Sequence, residues 1–215
     1  MSVYGGPEIV NSGLVLCLDA ANPKSYPGSG TAWTDMSGLG NHGTLTNGPT
    51  YSSNNAGSVV FDGVNDGFSV SGFTFSKTQF SLEWWFYPIV NINYNQSISL
   101  NGSWTGFIWH AGSSSQYWAG TDIGTRFENV DAGSVSINTW QQWTFTFDNG
   151  AAKIYKNANL LQSKTMSLST DASYTSLSDQ NSTNGRRSVI KLYNRALSAS
   201  EIQQNFNALR GRYGI

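Results

Sequence analysis

The stretch from Trp33 to Val70 limits what this chain can fold into more than any other. It reads W-T-D-M-S-G-L-G-N-H-G-T-L-T-N-G, then a short loop, then G-S-V-V-F-D-G-V-N-D-G-F-S-V. Glycine takes positive φ at no steric cost, and Asn and Asp tolerate it better than most residues. Backbone that bends this often around two apolar runs predicts tight turns clamped between strands. Ser58–Asp62 and Gly67–Val70 are expected as strands, with Gly63–Asp66 as the hairpin turn between them. Asp35, Asn41, Asp62, Asn65 and Asp66 gather where the chain bends most. Carboxylates and amides in bent backbone are what a hard cation such as calcium uses.

The rest of the chain continues the β pattern. Leu14–Asp19 reads as a buried strand. In Phe80–Tyr87, Phe80, Leu82, Trp84 and Phe86 alternate with Ser81, Glu83, Trp85 and Tyr87, which suits a central strand covered on both faces. Short segments at Gln96–Leu100, Gly106–His110, Gln116–Ala119, Thr125–Glu128 and Ser134–Ile137 have the spacing of sandwich strands. Trp143–Asp148 alternates strictly and turns through Asn149-Gly150 into A-A-K-I-Y-K, with a second turn at Asn157-Ala158-Asn159. A polar loop, Asp179–Arg187, leads to a closing strand, Ser188–Tyr193. Ser198-x-x-Glu201 is a capping box that opens one helix, with Ile202, Phe206 and Leu209 on one face and Gly211 expected as its stop.

These motifs carry a resemblance. W-x-D-x-S-G-x-G-N-x-G-T-L followed by G-S-V-x-F-D-G-x-N-D resembles the laminin-G-like branch of the concanavalin A-like lectins. F-S-L-E-W-W-F-Y-P (Phe80–Pro88) and V-I-K-L-Y-N-R-A-L-S-A-S-E-I (Val189–Ile202) agree with it. The resemblance implies an all-β jelly-roll sandwich of two antiparallel sheets with a short C-terminal helix. It implies function less strongly, because this sandwich serves lectins, adhesins, hydrolase accessory modules and virus particle proteins alike. The wording of Gly13–Trp33 is most similar to small laminin-G-like proteins of tailed-phage particles. The expected layout is an N-terminal arm, residues 1–12, and one domain, residues 13–215.

Charged residues make up 12% of the 215, and eight Trp, ten Tyr and eleven Phe exclude a disordered chain. Net charge is −1, split as −7 up to Ala152 and +6 from Lys153 onward. Either the first and last strands interleave the two signs, or complementary patches face neighbouring subunits. Cys17, the one cysteine, sits in an apolar strand and is expected buried and inert. The opening M-S-V-Y-G-G-P-E lacks the basic and apolar regions of a signal peptide. No apolar run approaches the ~20 residues of a membrane span.

Enzymatic patterns are missing. The four Glu (Glu8, Glu83, Glu128, Glu201) form no acidic pair along one strand such as glycoside hydrolysis needs. His42 and His110 lie near no nucleophile elbow, and one Cys with two His is too few for structural zinc. Arg186-Arg187 with Lys191 and Arg195 is too small a basic patch for nucleic acid. Calcium candidates are Asp35, Asn41, Asp62 and Asp66, against the alternative that these side chains cap turns through Asx hydrogen bonds. Trp84, Trp109 and Trp143 are expected in the core, and Trp104 and Trp118 are the candidates for a ligand platform. The leading expectation is a non-enzymatic structural protein of a phage particle, made in the host cytoplasm. It would dock on other virion proteins (capsid, neck, tail or fibre) and on copies of itself. The alternative is a carbohydrate-binding module gripping surface glycans, with or without calcium.

Overall fold

Alternation along one strand sets the layers. In β7 (Gln79–Pro88), Phe80, Leu82, Trp84 and Phe86 face the sandwich interior and are at most 1% exposed. Ser81, Glu83 and Trp85 face the other way and are equally buried, under a helix. The computed structural model describes residues 7–76, 78–89, 95–100, 106–109, 118–120, 125–127, 136–165, 173–179 and 184–215.

The remaining strands are β1 (Leu14–Asp19), β2 (Ala32–Trp33), β3 (Gly43–Thr46), β4 (Thr50–Ser52), β5 (Ser58–Phe61) and β6 (Gly67–Ser76) before β7. After it come β8 (Asn95–Leu100), β9 (Gly106–Trp109), β10 (Trp118–Gly120), β11 (Thr125–Phe127) and β12 (Gln141–Asp148). The last are β13 (Ala151–Lys156), β14 (Asn159–Thr165), β15 (Ser173–Asp179) and β16 (Gly185–Tyr193), followed by α1 (Ala199–Tyr213). An eight-stranded sheet runs β14-β13-β12-β7-β16-β5-β4, with β1 also paired to β16. A six-stranded sheet runs β2-β3-β6-β15-β8-β9, and β10-β11 form a two-stranded ribbon. Every strand pair is antiparallel, giving the expected jelly-roll sandwich.

The expected hairpin about Gly63–Asp66 is corrected. β5 pairs with β4 and β16, whereas β6 pairs with β3 and β15, so residues 62–66 carry the chain from one sheet to the other. Val59, Phe61, Phe68 and Val70 are all buried, and Phe61 meets Phe68 edge-on at 6.4 Å across the core. Two apolar strands filling one interior from opposite sides outweigh the local turn signal.

The Asn149-Gly150 turn forms with φ +46° and +98°. The next turn is tighter than expected, with Asn157 and Ala158 both left-handed and Asn159 already in β14. Ser136 and Ile137 belong to no strand, and β15 arises where no strand was expected. The helix starts at its capping box but passes Gly211 and stops at Gly214, whose φ is +71°. Tyr213, buried against Trp85, holds that last turn.

The two charge halves interleave: Lys191 Nζ lies 2.6 Å from Glu83, and Arg212 lies 2.7 Å from Asp19. Residues 8–12 of the expected arm are stitched to the helix side of the domain. Val10 N–H donates to Asn205 Oδ1 at 2.8 Å, Gln204 Nε2 donates to the Glu8 carbonyl at 2.7 Å, and Arg195 Nε donates to the Ser12 carbonyl at 3.0 Å. Among the described residues no helix is long and apolar enough to cross a membrane.

Candidate functional site

The loop of residues 34–42 closes the free edge of β1. Asp35 Oδ1 accepts the Cys17 N–H at 2.8 Å, and Met36 N–H donates to the Cys17 carbonyl at 2.8 Å. Ser37 Oγ and Asn41 Nδ2 both donate to the Val15 carbonyl, at 3.2 and 2.7 Å. The loop therefore supplies, from side chains and one amide, the partners that a neighbouring strand would otherwise provide. Asp35 also accepts from Ser37 N–H at 2.8 Å, Ser37 Oγ at 2.6 Å and Asn41 N–H at 3.0 Å, and is 6% exposed.

The second acidic turn is built by Asp62 and Asp66. Asp62 Oδ1 accepts from Val64 N–H at 2.8 Å and Asn65 N–H at 3.4 Å, while Asp66 Oδ2 accepts the Asp62 N–H at 3.0 Å. The Val64 amide, followed by others in the turn, holds the Asp62 carboxyl below the usual carboxylate range. Burial raises that of Asp66.

The structure does not bring the four calcium candidates together. Asp35 and Asn41 precede β3 at Gly43, whereas Asp66 adjoins Gly67, which pairs with Thr46 at the other end of β3. Four strand residues at ~3.3 Å each separate the two turns by roughly 10 Å or more. One calcium ion reaches its oxygens at ~2.4 Å and does not span that gap. Among the described residues no group of three or more His, Cys, Asp or Glu is gathered for a metal. Trp84 and Trp143 lie in the core as expected, at 1% exposure each. Trp104 lies outside the described residues. Of Trp109 and Trp118 the backbone alone, in β9 and β10, is described.

What sequence reasoning missed is the inequality of the two outer faces. On the eight-stranded sheet, α1 lays Ile202, Phe206, Leu209 and Tyr213 over Trp85, Val189 and Tyr193, sealing that face. Beneath it sits a polar cluster of Glu83, Lys191, Asn205 and Tyr193, all fully buried. On the six-stranded sheet Thr44 and Thr46 of β3 and Ser69, Ser71, Thr74 and Ser76 of β6 are exposed, whereas Ser178 of β15, on the same face, is buried. The register sets Thr44 beside Ser69, and Ser69 beside Ser178 of β15. In the sequence of all six strands the one charged residue is Asp179, at the end of β15. The opposite sheet carries acidic and basic residues on six of its eight strands. The signal was present as the period-two run of Ser and Thr in G-F-S-V-S-G-F-T-F-S, but which sheet would be covered was not.

Two antiparallel sheets packed face to face, one of them capped by a helix, define a lectin-type jelly-roll domain. The chain belongs to the concanavalin A-like lectin/glucanases superfamily, whose laminin-G-like family model matches residues 62–203. No curated protein sequence matches it significantly. Among solved structures it is similar to the binding domain of Paraclostridial Mosquitocidal Protein 1, at 18% identity and TM-score 0.69, covering 91% of this chain and 52% of that one. It is similar to a structure of botulinum neurotoxin type C, whose cell entry is described as dependent on two ganglioside molecules, at 14% identity, TM-score 0.72, and 93% and 52% coverage. It also matches domain 4 of the arabinanase AbnA from Geobacillus stearothermophilus, solved with arabinotriose, at 18% identity, TM-score 0.62, and 90% and 98% coverage. The chain thus spans about half the length of the toxin structures and nearly all of the arabinanase domain.

Proposed function

We propose that this chain is a non-catalytic module that binds neutral glycans on the outer face of its six-stranded sheet. The observation that carries this reading is the contrast between the two faces. One is sealed by α1, and the other presents exposed, uncharged hydroxyls on adjacent strands. Hydroxyl groups exchange hydrogen bonds with sugar hydroxyls as donor and acceptor alike, without the desolvation cost of a buried charge. The arabinotriose held by the arabinanase domain and the gangliosides named for the type C toxin support a glycan as the ligand class for this fold.

Non-catalytic is the reading the carboxylates favour. Glu83 is buried against Lys191, and Glu201 is engaged by Arg195 and by the helix cap. Neither offers the open, paired arrangement that glycoside hydrolysis requires.

A glycan array tests the proposal, with neutral and acidic glycans printed side by side. Binding is expected on neutral glycans, lost in Ser69→Glu and Ser71→Glu, and unchanged in Lys153→Ala on the other sheet. Full binding by both serine variants would remove the six-stranded face from consideration.

A place on a phage particle is the finer proposal, and the wording of Gly13–Trp33 is what favours it. The module would then present its open face outward from the particle. Docking would use surfaces other than Glu8–Ser12, which are bonded to the domain itself. Mass spectrometry of purified particles checks it, and absence of the chain from them would reject it.

A further inference from the structure

A glutamate, a lysine and an asparagine meet in the dry layer between the eight-stranded sheet and α1. Glu83 Oε1 lies 2.6 Å from Lys191 Nζ, and both side chains are fully buried. The register makes them cross-strand neighbours on β7 and β16. The other carboxylate oxygen, Oε2, accepts from Asn205 Nδ2 at 2.8 Å, and Asn205 is fully buried as well. Asn205 Oδ1 accepts the Val10 N–H at 2.8 Å, and Nδ2 also donates to Tyr193 Oη at 3.0 Å. Beyond Glu83, Lys191 Nζ meets no hydrogen-bond partner among the described residues. A buried ion pair adds little stability over an apolar pair of the same volume, so stability alone does not explain this one.

Those contacts are the parts that amide exchange needs. The geometry points to a self-catalysed cross-link between Lys191 and Asn205, with Glu83 as the proton carrier. Glu83 takes a proton from Lys191, leaving a neutral amine and a carboxylic acid in a site without bulk water. The Nζ lone pair attacks Cγ of Asn205 while the Val10 N–H holds Oδ1 as negative charge collects there. Glu83 passes its proton to Nδ2, the Cγ–Nδ2 bond breaks and ammonia leaves. The surplus proton on Nζ returns to Glu83. One Nζ–Cγ bond forms, one Cγ–Nδ2 bond breaks, and nothing is oxidised or reduced. Burial excludes the water that would otherwise hydrolyse the amide. The product ties α1 to β16 covalently.

Mass spectrometry of the purified full chain tests this. The intact mass is expected one ammonia below that of the sequence, with any loss of the initiator Met taken into account. Trypsin is expected to release Ser188–Arg195 joined to Ala196–Arg210 and uncut after Lys191. Fragmentation then places the bridge between Lys191 and Asn205, which separates it from an asparagine cyclised within one peptide. Lys191→Met and Glu83→Gln, checked for folding by circular dichroism, are expected to keep the full sequence mass. A native chain at its full mass, cleaved after Lys191, would overturn the cross-link whatever the variants do. A complete cross-link in folded Glu83→Gln would overturn the role of Glu83. Neither result depends on glycan binding.

Discussion

Tyr213 lies flat on Trp85, with ring centroids 4.1 Å apart and planes inclined by 20°. Phe206 lies parallel to the same indole at 5.7 Å. Through these stacks the middle and last turns of the lid reach one strand, β7, that also fills the sandwich core with Trp84 and Phe86. Tyr213→Ala removes a buried aromatic and is expected to cost about 3–5 kcal/mol. Urea denaturation measures it, and a loss under about 1 kcal/mol would mean that the lid's last turn adds little to the fold.

Asp35 accepts four hydrogen bonds, one of them from the β1 backbone. Asp35→Ala leaves those donors without a partner and is expected to destabilise by on the order of 2–4 kcal/mol. The loss should be the same in calcium and in EDTA, because the carboxylate is already spent on protein donors. A thermal shift between wild type and variant that shrinks markedly in EDTA would show that an ion shares the site.

Glu201 gives the fold an acid limb. Arg195 beside it, with the Ser198 backbone and hydroxyl, draws its carboxyl down to about 2. A folded value below the unfolded one means stability that is fully present above the unfolded range and is lost as pH falls through the folded value. Glu201→Gln is therefore expected to be less stable than wild type at pH 7 by about 1 kcal/mol, with the gap closing between about pH 4.5 and 2. Parallel stability curves across that range would remove Glu201 as the cause.

Burial pushes the Cys17 thiol up to about 12, against a smaller opposing pull from Lys191. In the native chain at pH 8 it is expected to resist alkylation by iodoacetamide, since the thiolate is the reactive form. Labelling should rise along the same denaturant transition that fluorescence reports. Rapid labelling without denaturant would mean that β1 opens independently.

Local chemistry made much of this fold legible. The alternation of β7, the Asn149-Gly150 turn and the Ser198–Glu201 cap depend on residues a few positions apart, and each appears where the sequence puts it. The Gly63–Asp66 turn was misread for a physical reason. An Asx turn at Asp62 looks the same whether the next strand pairs with the last or crosses to the other sheet, and the choice is made by β3, β15 and β16. Gly211 failed as a stop because Tyr213 gains more from packing on Trp85 than the helix loses by carrying a glycine. At the candidate site, the sequence groups Asp35 and Asn41 with Asp62 and Asp66 because all lie in bent backbone, but the distance between the two turns depends on the register of β3. The Glu83–Lys191–Asn205 cluster joins residues from three distant stretches of sequence and left no local trace.

The way loop 34–42 finishes β1 bears on how copies of this domain behave when crowded. The Cys17 amide and carbonyl and the Val15 carbonyl are already occupied, so a second molecule arriving at that flank finds these groups closed to strand pairing. Dense display on a surface would then leave each copy a separate unit at this border, not a link in a growing ribbon.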